Sequence, residues 1–401
     1  MKKILMISAY VNAFSQNNNR VQNVGRIFKT KEWHVKLLTQ NFNHSDKQYY
    51  NIDNNNLLFD TDFIKVVSYK TNINIHRIVS HIQFAYKVNK YLCKNAQQYD
   101  LIYTTMPTII SAFLILRKCE KFGIPLVADV IDIWPESMYK YSGKLRSLLR
   151  FVLSPLKLMA NHIYSHANIL VTASKKYAEF TSNVRKSNVR HFYLGIDIEN
   201  VSSLIKKSSI KIFSKEKEEI WIVYGGSLGN EYDFDVIIEA LILLKEKQIN
   251  YKMIFLGGGD IQDNIQKKID KYGLNAIITG RLPYHDYLNW LSRCDIAINS
   301  FRKDSLVAYS YKFNDYLASG CCILNNLKGE TAELINKYKI GLNFDYNENT
   351  LAKIILKLAM DYELIKNFKA NAQQPINKEL SKKVIYNNYY EYVVNDTLKN
   401  I

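Results

Sequence analysis

The stretch Tyr224–Phe234, YGGSLGNEYDF, follows the apolar run Ile220–Tyr224 and opens the amphipathic run Asp233–Lys247. Three glycines stand within five residues, at Gly225, Gly226 and Gly229. A strand that breaks at glycines and re-enters as a helix is one βα unit, and glycines there let backbone N–H groups come close to a ligand. A helix start beside them favours a phosphate. The spacing is not G-x-G-x-x-G, and Glu231 and Asp233 suit helix capping, so a plain tight turn reads equally well from this stretch alone.

The same alternation runs outward in both directions. Upstream, strands are expected at 3–8, 34–39, 63–68, 101–105, 125–131 and 169–172, with helices over 21–28, 76–96, 109–122 and 174–183. Downstream, strands fit 252–256, 276–279, 296–299, 322–325 and 341–344, and helices fit 260–272, 285–292, 311–319, 330–337 and 350–360. This is an α/β chain of doubly wound parallel sheets, and 401 residues call for two such domains. The polar run 202–219, with Gly195 just before it, marks the boundary. The expected division is a Rossmann-like domain over 1–197 and a second over 198–377, with a Tyr-rich final helix within 378–401 packing back on the first. Ligands of this fold class bind at the carboxyl ends of the strands, in a cleft between the domains.

Composition narrows the partners. The formal net charge of +17 favours anions: nucleic acid, sugar nucleotides or an anionic membrane surface. Nucleic acid is set aside, because no basic helix with interleaved aromatics and no reading module is present. The five cysteines have no C-x-x-C spacing and lie in apolar runs, as expected of reduced, buried thiols. No apolar run reaches ~18 residues, and the opening MKKILMISAY lacks the cleavage site of a signal peptide. A cytoplasmic chain, peripheral to the membrane, is the expectation.

Strand ends are where chemistry is to be sought. FLGGGD, 255–260, is a second glycine turn before a helix, and in GRLP, 280–283, Arg281 follows a third strand. In YSYKFNDYLASGCCIL, 309–324, Lys312 and Asp315 stand one helical turn apart ahead of the Gly320 break. They read either as a surface ion pair of small value or as a cation for phosphate with a carboxylate for hydroxyls. In the first half, Asp132 leaves a buried strand and Trp134–Pro135 leads into a helix; Asp132 is either a cap or a contact for an acceptor hydroxyl. Asn19 and Arg20 of NNNR, 17–20, follow the first strand. The segment 144–164 is apolar on one face and carries Lys144, Arg146, Arg150 and Lys157, the pattern of a basic interfacial helix that Pro155 would kink.

Taken in order, DIWPE, VTAS, LGID, YGGSLG, GRLP and YKFNDYLASG resemble the retaining glycosyltransferases of family 4, of the bacterial type that builds capsule, O-antigen or exopolysaccharide units. The likeness runs over nearly the whole chain. It implies the GT-B fold and a nucleotide-sugar donor, with UDP the expected nucleotide. It also implies a lipid-linked or oligosaccharide acceptor and a reaction with no metal and no cofactor. Donor contacts would come from Gly226, Ser227, Gly258, Arg281, Lys312 and Asp315. Acceptor contacts would come from Asn19, Arg20, Asp132 and Trp134, with Lys312 and Asp132 nearest the chemistry. The pattern is broken in three places: Val307 stands where the family has a glutamate, Ser227 where many members have an arginine, and Ile131 where a basic residue is usual.

Overall fold

The structure is a computed structural model that describes residues 1–14, 18–44, 46–51, 57–71, 74–139 and 146–398. The chain divides into two compact units, Met1–Leu194 with Val384–Ile401, and Gly195–Lys383.

The first unit is built on strands β1 (Lys3–Ile7), β2 (His34–Gln40), the short antiparallel pair β3 (Phe42–Asn43) and β4 (Gln48–Tyr49), β5 (Asp60–Ile64), β6 (Leu101–Met106), β7 (Leu126–Val130), β8 (Ile169–Thr172) and β9 (Arg190–His191). Seven of them form a parallel sheet in the order β5-β2-β1-β6-β7-β8-β9. Its helices are α1 (Arg20–Thr30), α2 (Ile75–Asn95), α3 (Ile109–Phe122), α4 (Glu136–Tyr139), α5 (Arg146–Val152), α6 (Ser154–His166) and α7 (Lys175–Arg185). Central strands are apolar along their whole length because helices cover both faces, and Ile4, Leu5, Met6, Leu101 and Ile102 are fully buried.

Two expectations are corrected here. The strand sought at 63–68 lies at Asp60–Ile64. It is an edge strand whose polar residues Asp60 and Asp62 both take the Lys36 ammonium, at 2.8 and 2.9 Å, so charge pairing and not apolar content marks it. The segment 144–164 is two helices, parted at Leu153, with Pro155 in the first turn of α6, where its missing N–H costs no bond. Lys144 lies outside the described residues.

The second unit begins with α8 (Ile198–Lys207), so the first part of the expected linker is helical; Asp197 caps it by accepting from the Asn200 N–H. Its strands β10 (Ile220–Gly225), β11 (Tyr251–Leu256), β12 (Ala276–Ile278), β13 (Ile296–Asn299), β14 (Cys322–Asn325) and β15 (Gly341–Asn343) pair in parallel in the order β12-β11-β10-β13-β14-β15. Helices α9 (Phe234–Glu246), α10 (Gln262–Tyr272), α11 (Tyr284–Arg293), α12 (Tyr311–Ala318), α13 (Glu330–Tyr338), α14 (Glu348–Met360), α15 (Tyr362–Ala370) and α16 (Gln373–Lys378) complete it. Both sheets reverse direction beside their first strand, the switch point of a doubly wound fold.

The expected single helix over 378–398 is broken. Backbone groups of Leu380 and Lys382 bond to Ile196, at 2.7 and 2.9 Å, so the chain is extended there and starts again as α17 (Lys382–Tyr390). Its Tyr386 and Tyr389 are buried in the core of the first unit with Phe28, Trp33 and Phe192. Among the described residues, no helix is long and apolar enough to cross a membrane.

Candidate functional site

At the carboxyl ends of β10, β11 and β12 three glycine turns close on one another. The Gly226 N–H donates to Leu256 O at 2.8 Å and the Leu228 N–H to Gly258 O at 3.2 Å. Gly257 pairs with Gly280 in an antiparallel bridge. A methyl carbon on Gly257 would stand 1.9 Å from Gly226 O, and its φ of 150° belongs to glycine, so no side chain fits between these turns. From the sequence, the loop's N–H groups either face a phosphate or close a plain tight turn. The N–H groups of Gly226 and Leu228 instead tie the turns together, while Ser227 between them is exposed. Arg281 borders Gly258 and is exposed.

Lys312, in the first turn of α12, lies against this assembly. A methyl carbon on Gly226 (φ 134°) would meet Lys312 Cε at 2.5 Å, so the glycine makes room for the lysine stem. The ammonium sits 3.6 Å from the centroid of Tyr232, 5.1 Å from Phe301 and 5.5 Å from Tyr224. No carboxylate lies within ion-pair distance of it among the described residues. Three ring faces attract a cation but replace water only in part. Burial lowers its pKa from 10.5 to about 7, against the opposing charges of Glu231 and Asp315.

Lys312 and Asp315 do not form the surface pair that their spacing permits. Asp315 faces α11, where the Tyr284 hydroxyl donates to its Oδ1 at 2.8 Å. Burial raises its pKa to about 6, opposed by that hydrogen bond and by the Lys312 charge. Tyr287, stacked on Tyr284, packs against Gly225, where a methyl carbon would come within 2.7 Å of its ring. The seat of α12 is set by a row of amides across three strands: Ser310 Oγ donates to Asn299 Oδ1 (2.8 Å), Asn299 to Asn325 (2.7 Å) and Asn325 to Asn343 (2.7 Å). The strand register places the three asparagines side by side.

Gly226, Gly258, Arg281 and Lys312, with Ser227 next to Gly226 and Asp315 one turn on, are thus gathered at one sheet end. Tyr232, Phe301, Tyr284 and Tyr287 are not among the residues that the sequence motifs single out. The i, i+3 pair Tyr284 and Tyr287 just after GRLP was the available signal; nothing in sequence brought Phe301 to Lys312.

The first-unit residues fare differently. Arg20 is 3% exposed, and its Nε donates to the fully buried Asp129 at 2.8 Å. Its other nitrogens bond to Phe192 O and Thr172 O, so it is a core strut rather than an acceptor contact. Asn19 caps α1 by accepting from the Gln22 N–H at 3.2 Å. Asp132 turns inward on its own motif: it accepts from the Ile133 N–H, from Trp134 Nε1 at 2.8 Å and from Ser137 Oγ. Burial raises its pKa even so. Trp134 is half-buried, with the Arg77 guanidinium over its ring at 5.1 Å.

Residues 205–375, which contain the whole Lys312 cluster, match the family model of glycosyl transferases group 1. No curated protein matches the chain. Among solved structures, a sucrose-phosphate synthase from Thermosynechococcus elongatus superposes with a TM-score of 0.73 at 15% identity, over 98% of this chain and 99% of that one. HepE of Anabaena in complex with UDP follows at 0.71 and 14%, over 98% and 100%. WaaG, a glycosyltransferase involved in lipopolysaccharide biosynthesis, gives 0.65 and 14%, over 98% and 100%. The chain has the GT-B fold, and the segment that gathers Lys312, Arg281 and the three glycine turns is similar to the glycosyl transferases of group 1.

Proposed function

We propose that the protein is a retaining glycosyltransferase of family 4 type. It moves a sugar from a nucleotide-sugar, with UDP as the nucleotide, to a lipid-linked saccharide in surface polysaccharide synthesis. The observation that carries this reading is the Lys312 ammonium, caged by three rings and packed on Gly226, with no carboxylate within ion-pair distance among the described residues. Such a cation is partly desolvated and held in place, and a diphosphate would supply a counter-charge. HepE, of the same fold, is described in complexes with UDP and with UDP-glucose, which favours UDP here.

In the proposed reaction the acceptor hydroxyl oxygen bonds to the anomeric carbon as the bond to the β-phosphate oxygen breaks. The hydroxyl proton passes to that departing oxygen, so no strong protein base is required. Lys312 and Arg281 stabilise the charge that develops on the nucleoside diphosphate, and Asp315 accepts hydroxyls of the ribose. Asp132 and Trp134 stand on the acceptor side. No divalent metal is assigned: of the two D-x-D spacings, Asp60 and Asp62 hold the Lys36 ammonium, while Asp233 caps α9 and Asp235 pairs with Lys268. The basic helices α5 and α6 hold the protein at the cytoplasmic membrane face, where a lipid-linked acceptor resides.

The test is transfer or donor hydrolysis by purified protein with UDP-, GDP- and TDP-sugars, with membrane extract as acceptor source. Turnover with one donor, lost in Lys312→Ala, supports the reading. One observation favours a second: Val307 brings an isopropyl group where a carboxylate toward the donor sugar is expected. Nucleotide binding without turnover on any donor would make the protein a non-catalytic partner in such a complex.

A further inference from the structure

Asp315 lies where α11 and α12 pack on each other, and two tyrosines from the start of α11 reach it. Tyr284 and Tyr287 stand at i, i+3, so both project from one side of the helix, and their rings stack at 6.0 Å and 19°. The Tyr284 hydroxyl donates to Asp315 Oδ1 at 2.8 Å, and the Tyr287 hydroxyl bonds to the same carboxyl group. Tyr287 has its room from Gly225, where a methyl carbon would stand 2.7 Å from the hydroxyl oxygen. Helix α12 is tied to the same turn, because the Gly225 N–H donates to the Tyr316 hydroxyl at 2.9 Å. Neighbouring glycines thus seat two groups: Gly225 the tyrosine that meets Asp315, and Gly226 the stem of Lys312.

The bonding capacity of the carboxylate decides what it can take. Ionised, it accepts about four hydrogen bonds, and the two tyrosines fill two of them. Two neighbouring hydroxyls, as on a ribose, match what is left; the single hydroxyl of a deoxyribose leaves one position unfilled. The titratable groups around Asp315 are Tyr284 and Tyr287 of α11 and Lys312 and Tyr316 of α12. Burial raises the Asp315 pKa to about 6, while the Tyr284 bond, the Lys312 charge and the Tyr287 bond oppose the rise. Burial and the Asp315 charge raise the Tyr284 pKa, so that hydroxyl keeps its proton and stays a donor.

We infer that Tyr284 is a positioning residue for the donor: its hydroxyl fixes one oxygen of Asp315, so that the free positions of the carboxylate are held for the vicinal diol of a ribonucleotide and select it over a deoxyribonucleotide. The inference rests on the transferase reading above, and adds the group that makes Asp315 a selector of the pentose. A bond that only braced α11 against α12 would act alike on every nucleotide. One that holds a carboxylate acts through the hydroxyls which that carboxylate accepts.

The experiment measures the affinity of the full chain for UDP and for 2′-deoxy-UDP by isothermal titration, from about pH 5 to pH 8. The ratio of the two affinities cancels the titration of the diphosphate, which both ligands share. The expected ratio is about tenfold or more in favour of UDP at pH 8, falling as the pH drops through about 6, where Asp315 takes up its proton. Tyr284→Phe keeps the ring on Tyr287. It is expected to move that fall to higher pH and to cut the ratio at pH 7 by about threefold or more, with 2′-deoxy-UDP itself bound as before. Asp315→Asn should bring the ratio below about threefold, and adding Tyr284→Phe to it should change the ratio no further. Melting temperatures report that each variant is folded. Equal weakening of both nucleotides in Tyr284→Phe, or a ratio that keeps its size and pH dependence there, would make the bond a brace between helices and overturn the inference. A ratio near one in the unaltered protein would overturn it too. Selection of UDP that depends on Tyr284, without turnover on any donor, would sink the transferase reading and spare this role. Transfer at equal rates from UDP-sugars and from TDP-sugars, whose pentose is deoxyribose, would do the reverse.

Discussion

Lys312 carries the sharpest consequences at the scale of single residues. Lys312→Ala is expected to lower turnover by about 10²-fold or more, as loss of one preorganised charge to a developing anion does, with little loss of melting temperature because a half-buried cation outside ion-pair distance of a carboxylate adds little stability. Equal activity in steady-state assays would remove it from the site. The lowered pKa also has a direction. Free Lys312 loses its proton above pH 7, whereas a bound diphosphate holds it on. Affinity for UDP-glucose should therefore fall with rising pH above 7, by up to about tenfold per unit, and Lys312→Ala should flatten the profile. Asp315→Asn is expected to raise the donor KM with little change in kcat, as its proposed role toward the ribose hydroxyls requires. An unchanged KM would return Asp315 to the helix surface. Lys312 and Asp315 could be read from their spacing and the Gly320 break, but not the rings around them. Tyr232 and Phe301 reach Lys312 through strand order, which one-dimensional spacing does not carry.

At the scale of elements, the glycine turns and α12 form one assembly. Gly226→Ala forces a side chain into positive φ and onto Lys312 Cε, so a stability loss on the order of 1–3 kcal/mol and weaker UDP binding are expected. Ser227→Ala, one residue on and exposed, should change stability by less than about 0.5 kcal/mol. Denaturant unfolding and isothermal titration distinguish the two; equal effects would mean that the close approach at Gly226 is slack. Buried parallel strands such as Ile220–Gly225 were legible because their runs are wholly apolar. The edge strand Asp60–Ile64 was not, because its pairing with β2 is secured by the Lys36 ammonium. The break at Leu380–Lys382 was equally hidden, since it depends on backbone bonds to Ile196, far away in sequence.

Across the whole molecule, the alternation of strands and helices and the length made two doubly wound units legible, while the acceptor side was not. Arg20 looked like a ligand contact because it follows the first strand, and only packing shows its charge neutralised by Asp129 in the core. The +17 charge and the exposed apolar side chains of α5 and α6 make binding to anionic vesicles an expected property of the full chain. Replacing Arg150 and Lys157 by serine should weaken vesicle sedimentation by about 1 kcal/mol per charge at low salt, and indifference to both would deny these helices a membrane role. The caged lysine has one more effect, on exchange with the solvent. Near pH 8 the free ammonium is only about one-tenth protonated for a pKa of about 7, so loading a nucleotide-sugar draws close to one proton from the medium. Releasing the nucleoside diphosphate returns it. The heat of binding should then depend on the ionisation enthalpy of the buffer, and each catalytic cycle would carry a proton on and off the protein in step with the donor.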